Sequence, residues 1–177
     1  AAGNDETLAR KALEAVAAIG AEPSREAVEA VARDAASPRV AARAGTILAT
    51  IDAAAGLDAL LALSEKASWG ARAEAVAALG ELSRSDAAFS RVLKLLDDSN
   101  REVRSAAYAS LRRFRRKDAI AAALQRLEPL QGRDRAQALS YLEWASGKKL
   151  GRDAAAWSRW WAGEEAGFRF PGEEAGR

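Results

Sequence analysis

Apolar and polar positions along this chain recur at helical spacing and, over a longer range, with a period of 31–32 residues. A large apolar residue stands at Val16, Leu48, Leu79, Leu111 and Leu142, at successive intervals of 32, 31, 32 and 31. Four residues before each comes an alanine (Ala12, Ala44, Ala75, Ala107, Ala138), and three after each come Ile19, Ile51, Leu82, Phe114 and Ala145. Offsets of three and four residues share one helical face. Each anchor therefore predicts a helix whose small residues let a neighbour approach while its larger ones fill the groove between them.

A second helix is predicted ahead of each of the last four anchors. Ala30, Leu61, Leu93 and Leu124 each stand four residues before an acid, namely Asp34, Glu65, Asp97 and Glu128. Six and seven residues beyond those acids come Val40-Ala41, Ala71-Arg72, Val103-Arg104 and Asp134-Arg135, so three of the four units keep an acid-to-arginine spacing of seven. That spacing predicts a structural ladder, with Arg104 paired to Asp97; Ala41 and Asp134 break the pattern in the first and last full units. Ser37-Pro38 reads as an N-cap with proline at the first helical position, and Ser99-Asn100-Arg101-Glu102 as a capping box. Gly20, Gly80 and Gly147 fall near helix ends, and Pro129 should end or kink the helix before it. The expected fold class is all-α, an α-solenoid of stacked helix pairs. One half unit and four full units occupy residues 1–146, and residues 147–177 form a Trp-rich capping helix and tail of the same domain.

This pattern resembles the HEAT and HEAT-like repeats, above all the short bacterial form in which an acid in the inter-helix turn is followed by a Val-Arg pair opening the second helix. The segment from Asp97 through Val103-Arg104 carries the resemblance best, and Glu65 to Arg72, with Ala71 in the valine place, carries it less closely. The likeness covers roughly residues 5–146 and implies a right-handed solenoid. The tail, with Gly147-Lys148-Lys149-Leu150-Gly151, Asp153 and then Trp157, Trp160 and Trp161, looks like a terminal segment that follows such repeats in some bacterial proteins. There the aspartate caps a Trp-rich helix. The resemblance implies a bacterial repeat protein and names no activity.

Composition narrows the chemistry. The 177 residues include no cysteine, histidine or methionine, which removes thiol nucleophiles, imidazole catalysis and Cys or His zinc sites together. No run longer than the eight residues 44–51 lacks a charge, so no membrane span is expected. Ser146 and Lys149 fit a Ser-x-x-Lys string without its usual partner motifs, and phosphate-cradling glycine loops are missing. No enzyme activity and no cofactor are therefore expected. The sequence opens on Ala1 rather than methionine, which suggests removal of something upstream and leaves both a cytoplasmic and an exported location open.

Two features are candidates for binding. Residues 84–117 hold ten basic and four acidic side chains, a local balance of +6 in a chain whose formal charge is +2. On a helical wheel Arg101, Arg104, Tyr108, Arg112 and Arg115 share a sector beside the apolar stripe, a candidate surface for anions or nucleic acid across residues 101–117. Trp157, Trp160 and Trp161 form a candidate aromatic cap over the last repeat, with Phe168, Phe170 and Pro171 docking the tail on it. Trp69 and Trp144 are expected to complete the core. The first functional reading is a monomeric, non-catalytic scaffold for another protein or peptide. The alternative is an anion or nucleic-acid module, and a HEAT-type enzyme such as a DNA glycosylase comes third.

Overall fold

The computed structural model describes residues 25–173, so the half unit with Ala12, Val16, Ile19 and Gly20 lies outside the described residues. Four helix pairs follow one another: α1 (Arg25–Asp34) with α2 (Pro38–Ile51), α3 (Ala53–Leu63) with α4 (Trp69–Leu79), α5 (Asp86–Lys94) with α6 (Arg101–Phe114), and α7 (Lys117–Leu127) with α8 (Gly132–Ser146). A last helix, α9 (Ala154–Glu164), closes the series, and no strand occurs among the described residues. This is the α-solenoid that the repeat period predicts.

Local chemistry sets the helix ends. Asp52 both closes α2 and opens α3: its N–H donates to the Leu48 carbonyl (2.7 Å), and its carboxylate accepts from the N–H groups of Ala54 and Ala55 (3.1 and 3.0 Å). Ser85 and Asp153 cap α5 and α9 through their side chains in the same way. The expected capping box shifts by one residue, because Asn100 rather than Ser99 takes the N-cap place and accepts from the Glu102 N–H at 2.8 Å. Asp98, fixed by Arg72, accepts from the Asn100 N–H at 2.8 Å and holds the chain in that register. Helix α7 stops two residues before Pro129, and Gly147 ends α8 at a left-handed φ of 69°.

The anchors Leu48, Leu79, Leu111 and Leu142, and the alanines Ala44, Ala75, Ala107 and Ala138, are all fully buried. Helix α4 packs between α2 and α6, and α6 packs on α8, whereas the first helices of successive units meet only loosely. The second helices thus form the tighter, inner layer of the curve. Two expectations about this face need correction. Ile51 is 44% exposed, since the single-residue connection at Asp52 supplies no loop to cover the end of α2. In the first helices the buried positions are Leu60, Val92 and Ala123, one residue ahead of the half-buried Leu61, Leu93 and Leu124, while Ala30 is exposed.

Glycine serves the closest crossing, between α2 and α3. A Cβ on Gly56 would lie 2.2 Å from the Ala49 backbone nitrogen, a contact that no rotamer can relieve. Gly56→Ala should therefore destabilise the fold by about 1–3 kcal/mol. Gly163, inside α9 with nothing within 4 Å of the same position, should gain roughly 0.4–1 kcal/mol on conversion to alanine. Urea denaturation of the two variants should move the midpoint in opposite directions, and parallel shifts would contradict this crossing.

Candidate binding surface

The arginines at the start of the second helices each have two jobs. Arg72 donates from Nη1 to the Lys66 and Ala67 carbonyls of its own turn (3.1 and 2.7 Å), and from Nε and Nη2 to Asp98 of the next unit (2.7 and 2.9 Å). Arg104 repeats this with the Asp98 and Ser99 carbonyls (2.7 and 3.1 Å) and with Asp134 (3.2 and 2.6 Å). Arg135 holds the carbonyls of Leu127, Glu128 and Leu130 and, lacking a next unit, donates to the Arg152 carbonyl at 2.6 Å. The ladder therefore runs between units. Arg104 does not pair with Asp97, as the spacing of seven suggests, because that spacing places its guanidinium on the turn backbone with its free edge facing forward. Asp134 is the acceptor that completes the ladder, where sequence reading takes it for a break.

Asp97 is held from the other side. Arg126 on α7 donates to it at 2.8 and 2.6 Å, and Arg91 on α5 pairs likewise with Glu65 while donating to Ser64 Oγ at 2.6 Å. Adjacent acids in one turn are thus divided between the unit before and the unit after. Hydrogen bonds from Arg72 hold the Asp98 carboxyl below the usual carboxylate range, and Arg126 does the same for Asp97.

The five residues proposed as a basic stripe do not come together on an open surface. Arg101 is exposed and paired with its neighbour Glu102 at 2.8 Å; Arg104 is committed to the ladder. Tyr108 is only 3% exposed, with burial pushing its hydroxyl pKa up to about 12. Arg112 donates to Ser140 Oγ at 2.9 Å and lies 5.7 Å from the centre of the Trp144 ring. Arg115 ends α6 in the left-handed conformation, φ 48°, and holds the tail through the Pro171 carbonyl (2.7 Å) and Glu173 (3.2 Å). A helical wheel finds neighbours in angle, but it cannot see which of them the next helix or a returning segment will cover.

The aromatic residues form one continuous row. Tyr108 meets Tyr141, Tyr141 meets Trp144, and Trp144 meets Phe170, with centroids 6.0–6.3 Å apart. Phe168 then joins Phe170 to Trp160 and Trp161, and Trp157 lies edge-on to Trp160. Trp157 is fully buried and donates to the Gly151 carbonyl at 2.9 Å; Trp161 is buried and Trp160 half-buried. Trp69, expected in the core, is 52% exposed because it is the first residue of α4 and points beyond the stacked layer.

Helix α9 also breaks the repeat in direction. Arg116 pairs with Asp86, which brings together the starts of α5 and α7, as parallel first helices require. Lys117 at the start of α7 instead donates to the Glu165 and Ala166 carbonyls at the end of α9, so α9 runs antiparallel to α7. Nothing in the local sequence signals this reversal.

Comparison with known families now fits the geometry. Residues 57–143 match the family model described as HEAT repeats, and the helix pairs of that stretch are HEAT-type repeats. Comparison with curated proteins gives no match. HEAT repeats generally mediate protein–protein interaction. Among the described residues no helix is long and apolar enough to cross a membrane, and no group of acidic side chains has the arrangement of a metal site.

Two expectations test these assignments. The pKa of Asp98 is lower in the folded chain than its ordinary value near 3.9, so its contribution is present above that pH and lost as pH falls through the folded pKa. Asp98→Asn should cost about 1–3 kcal/mol at neutral pH, by leaving Arg72 unpaired. Denaturant midpoints of variant and wild type should converge as the pH falls through the lowered pKa of Asp98; a constant gap throughout would remove the ion pair from the account. The second concerns Tyr108, whose buried hydroxyl has no hydrogen-bond partner. Tyr108→Phe should leave the thermal midpoint unchanged or raise it by about 2–4 °C, the gain from removing an unsatisfied polar group. A lowered midpoint would show that the hydroxyl is bonded.

Proposed function

We propose that this chain is a non-catalytic scaffold that holds a protein partner on the inner face of its second helices. The observation that carries the reading is the contrast between arginines and inner face. Arg104 and Arg115 are spent on carboxylates inside the molecule, while the inner face stays open and mixed in character. Equivalent positions on that face read Glu74, Ala106 and Gln137 in one row and Ala77, Ala109 and Ser140 in the next, the second row being exposed. A strip of small side chains bordered by both charge signs suits a helix or strand of another protein better than a uniformly charged polymer. The wider class is typically non-catalytic, and this chain has neither an imidazole nor a thiol to place on the strip.

A photo-crosslinking residue at position 109, compared with one at the exposed outer position 125, separates this reading from its rival. Position 109 should give protease-sensitive adducts with protein in a lysate, and position 125 should not. Labelled duplex DNA should bind the wild type no more tightly than about 10⁻⁴ to 10⁻⁶ M at physiological salt. Tight DNA binding with a steep salt dependence would replace the scaffold reading with the nucleic-acid one.

A further inference from the structure

We propose that the lower end of the inner layer, where α6 and α8 finish and the tail returns, is a docking site for an acidic segment of the protein partner. The proposal rests on the scaffold reading and adds the chemistry of what is held. Arg113, Lys148, Lys149 and Arg169 are exposed there, and none has a carboxylate partner among the described residues. Arg112 joins them, its partners being the neutral Ser140 and the Trp144 ring. The fold brings these groups to one end of the layer. Arg113 on α6 is the repeat equivalent of Trp144 on α8, beside which Arg112 lies. Gly147, next to the two lysines, abuts Pro171, a Cβ there coming 3.6 Å from the proline ring. Arg169 stands between Phe168 and Phe170, whose rings meet each other at 5.2 Å in the cluster.

The charge here is in surplus. Each helix C-terminus carries about half a negative charge, so two ends offset about one cation. Glu143, Glu164 and Glu165 lie at this end together with Lys117, while Glu173 is already matched by Arg115. The six cations, Lys117 included, thus face about four negative charges among the described residues, and about two lack compensation. Along the ladder, by contrast, Arg72, Arg104 and Arg126 each have a carboxylate of their own.

The tail shows what this end accepts. Arg115 takes a backbone carbonyl of Pro171, a carboxylate of Glu173 and the ring of Phe170, 5.4 Å away, all from one tight turn in which the Glu173 N–H donates to the Phe170 carbonyl at 3.0 Å. Beside that turn the uncompensated cations can take further carboxylates of a partner segment. A nucleic acid fits less well. Trp144 is covered by Arg112, Tyr141 and Phe170, which leaves its ring no room to stack a base.

Fluorescence anisotropy with a labelled hexaglutamate peptide tests the site on the full chain. Reversing Arg113→Glu, Lys148→Glu and Lys149→Glu together should weaken binding by at least about tenfold, since three favourable pairs become repulsive. A charge-matched control, Arg33→Glu with Lys66→Glu and Lys94→Glu, should bind as the wild type does. Thermal melts check folding, and the milder Arg113→Gln, Lys148→Gln, Lys149→Gln variant should give an intermediate loss. Equal weakening in the control, absence of binding by the wild type, or tighter binding of oligothymidylate or phosphatidylserine vesicles than of hexaglutamate would overturn the proposal. If hexaglutamate fails while position 109 still crosslinks to protein, this site falls and the scaffold reading stands.

Discussion

Arg72 and Arg104, near the starts of α4 and α6, each join three pieces of backbone that would otherwise be independent. One edge of each planar guanidinium closes the turn inside its own unit, and the other reaches the carboxylate of the next. Only a side chain with donors on two edges can do this, so lysine is not a substitute. A solenoid has no contacts between distant units, and its stability is close to a sum of unit and neighbour terms. Polar links at the turns therefore set the spacing between units on one edge, while the fully buried alanines set how near the second helices come.

The same economy decides what the surface can offer. A chain with 27 basic residues carries a net charge of only +2, and five of the ten arginines from Arg72 to Arg126 face an acid of a neighbouring unit. Coulomb attraction that is satisfied internally is lost to partners. Cations without a carboxylate partner among the described residues include Arg113, Lys148, Lys149 and Arg169 around the ends of α6 and α8. Ladder and binding surface are in this sense alternatives for the same residue type.

Termination of the stack follows from apolar rather than ionic demand. The last pair presents an apolar side with no next unit to cover it, and α9 with the tail brings Trp157, Trp161 and Phe170 into the same buried cluster as the repeats. Reversing the direction of α9 relative to α7 frees it from the register of the ladder. Arg135 accordingly turns to a backbone carbonyl, that of Arg152, in place of a carboxylate.

How much of this was written along the chain differs from feature to feature. The period, the buried leucine and alanine positions and the stop before Pro129 are local or periodic properties, and they were legible without coordinates. A HEAT-like solenoid follows from them. The partners of Arg104 and Asp97, the burial of Tyr108, the exposure of Trp69 and the tail on Arg115 were not legible. Spacing within a unit records which residues share a turn or a face, whereas a hydrogen bond across 26–30 residues depends on how far one unit is displaced from the next. That displacement is set by packing between layers, and so the tertiary structure alone decided which arginines link one unit to the next and which have no carboxylate of their own.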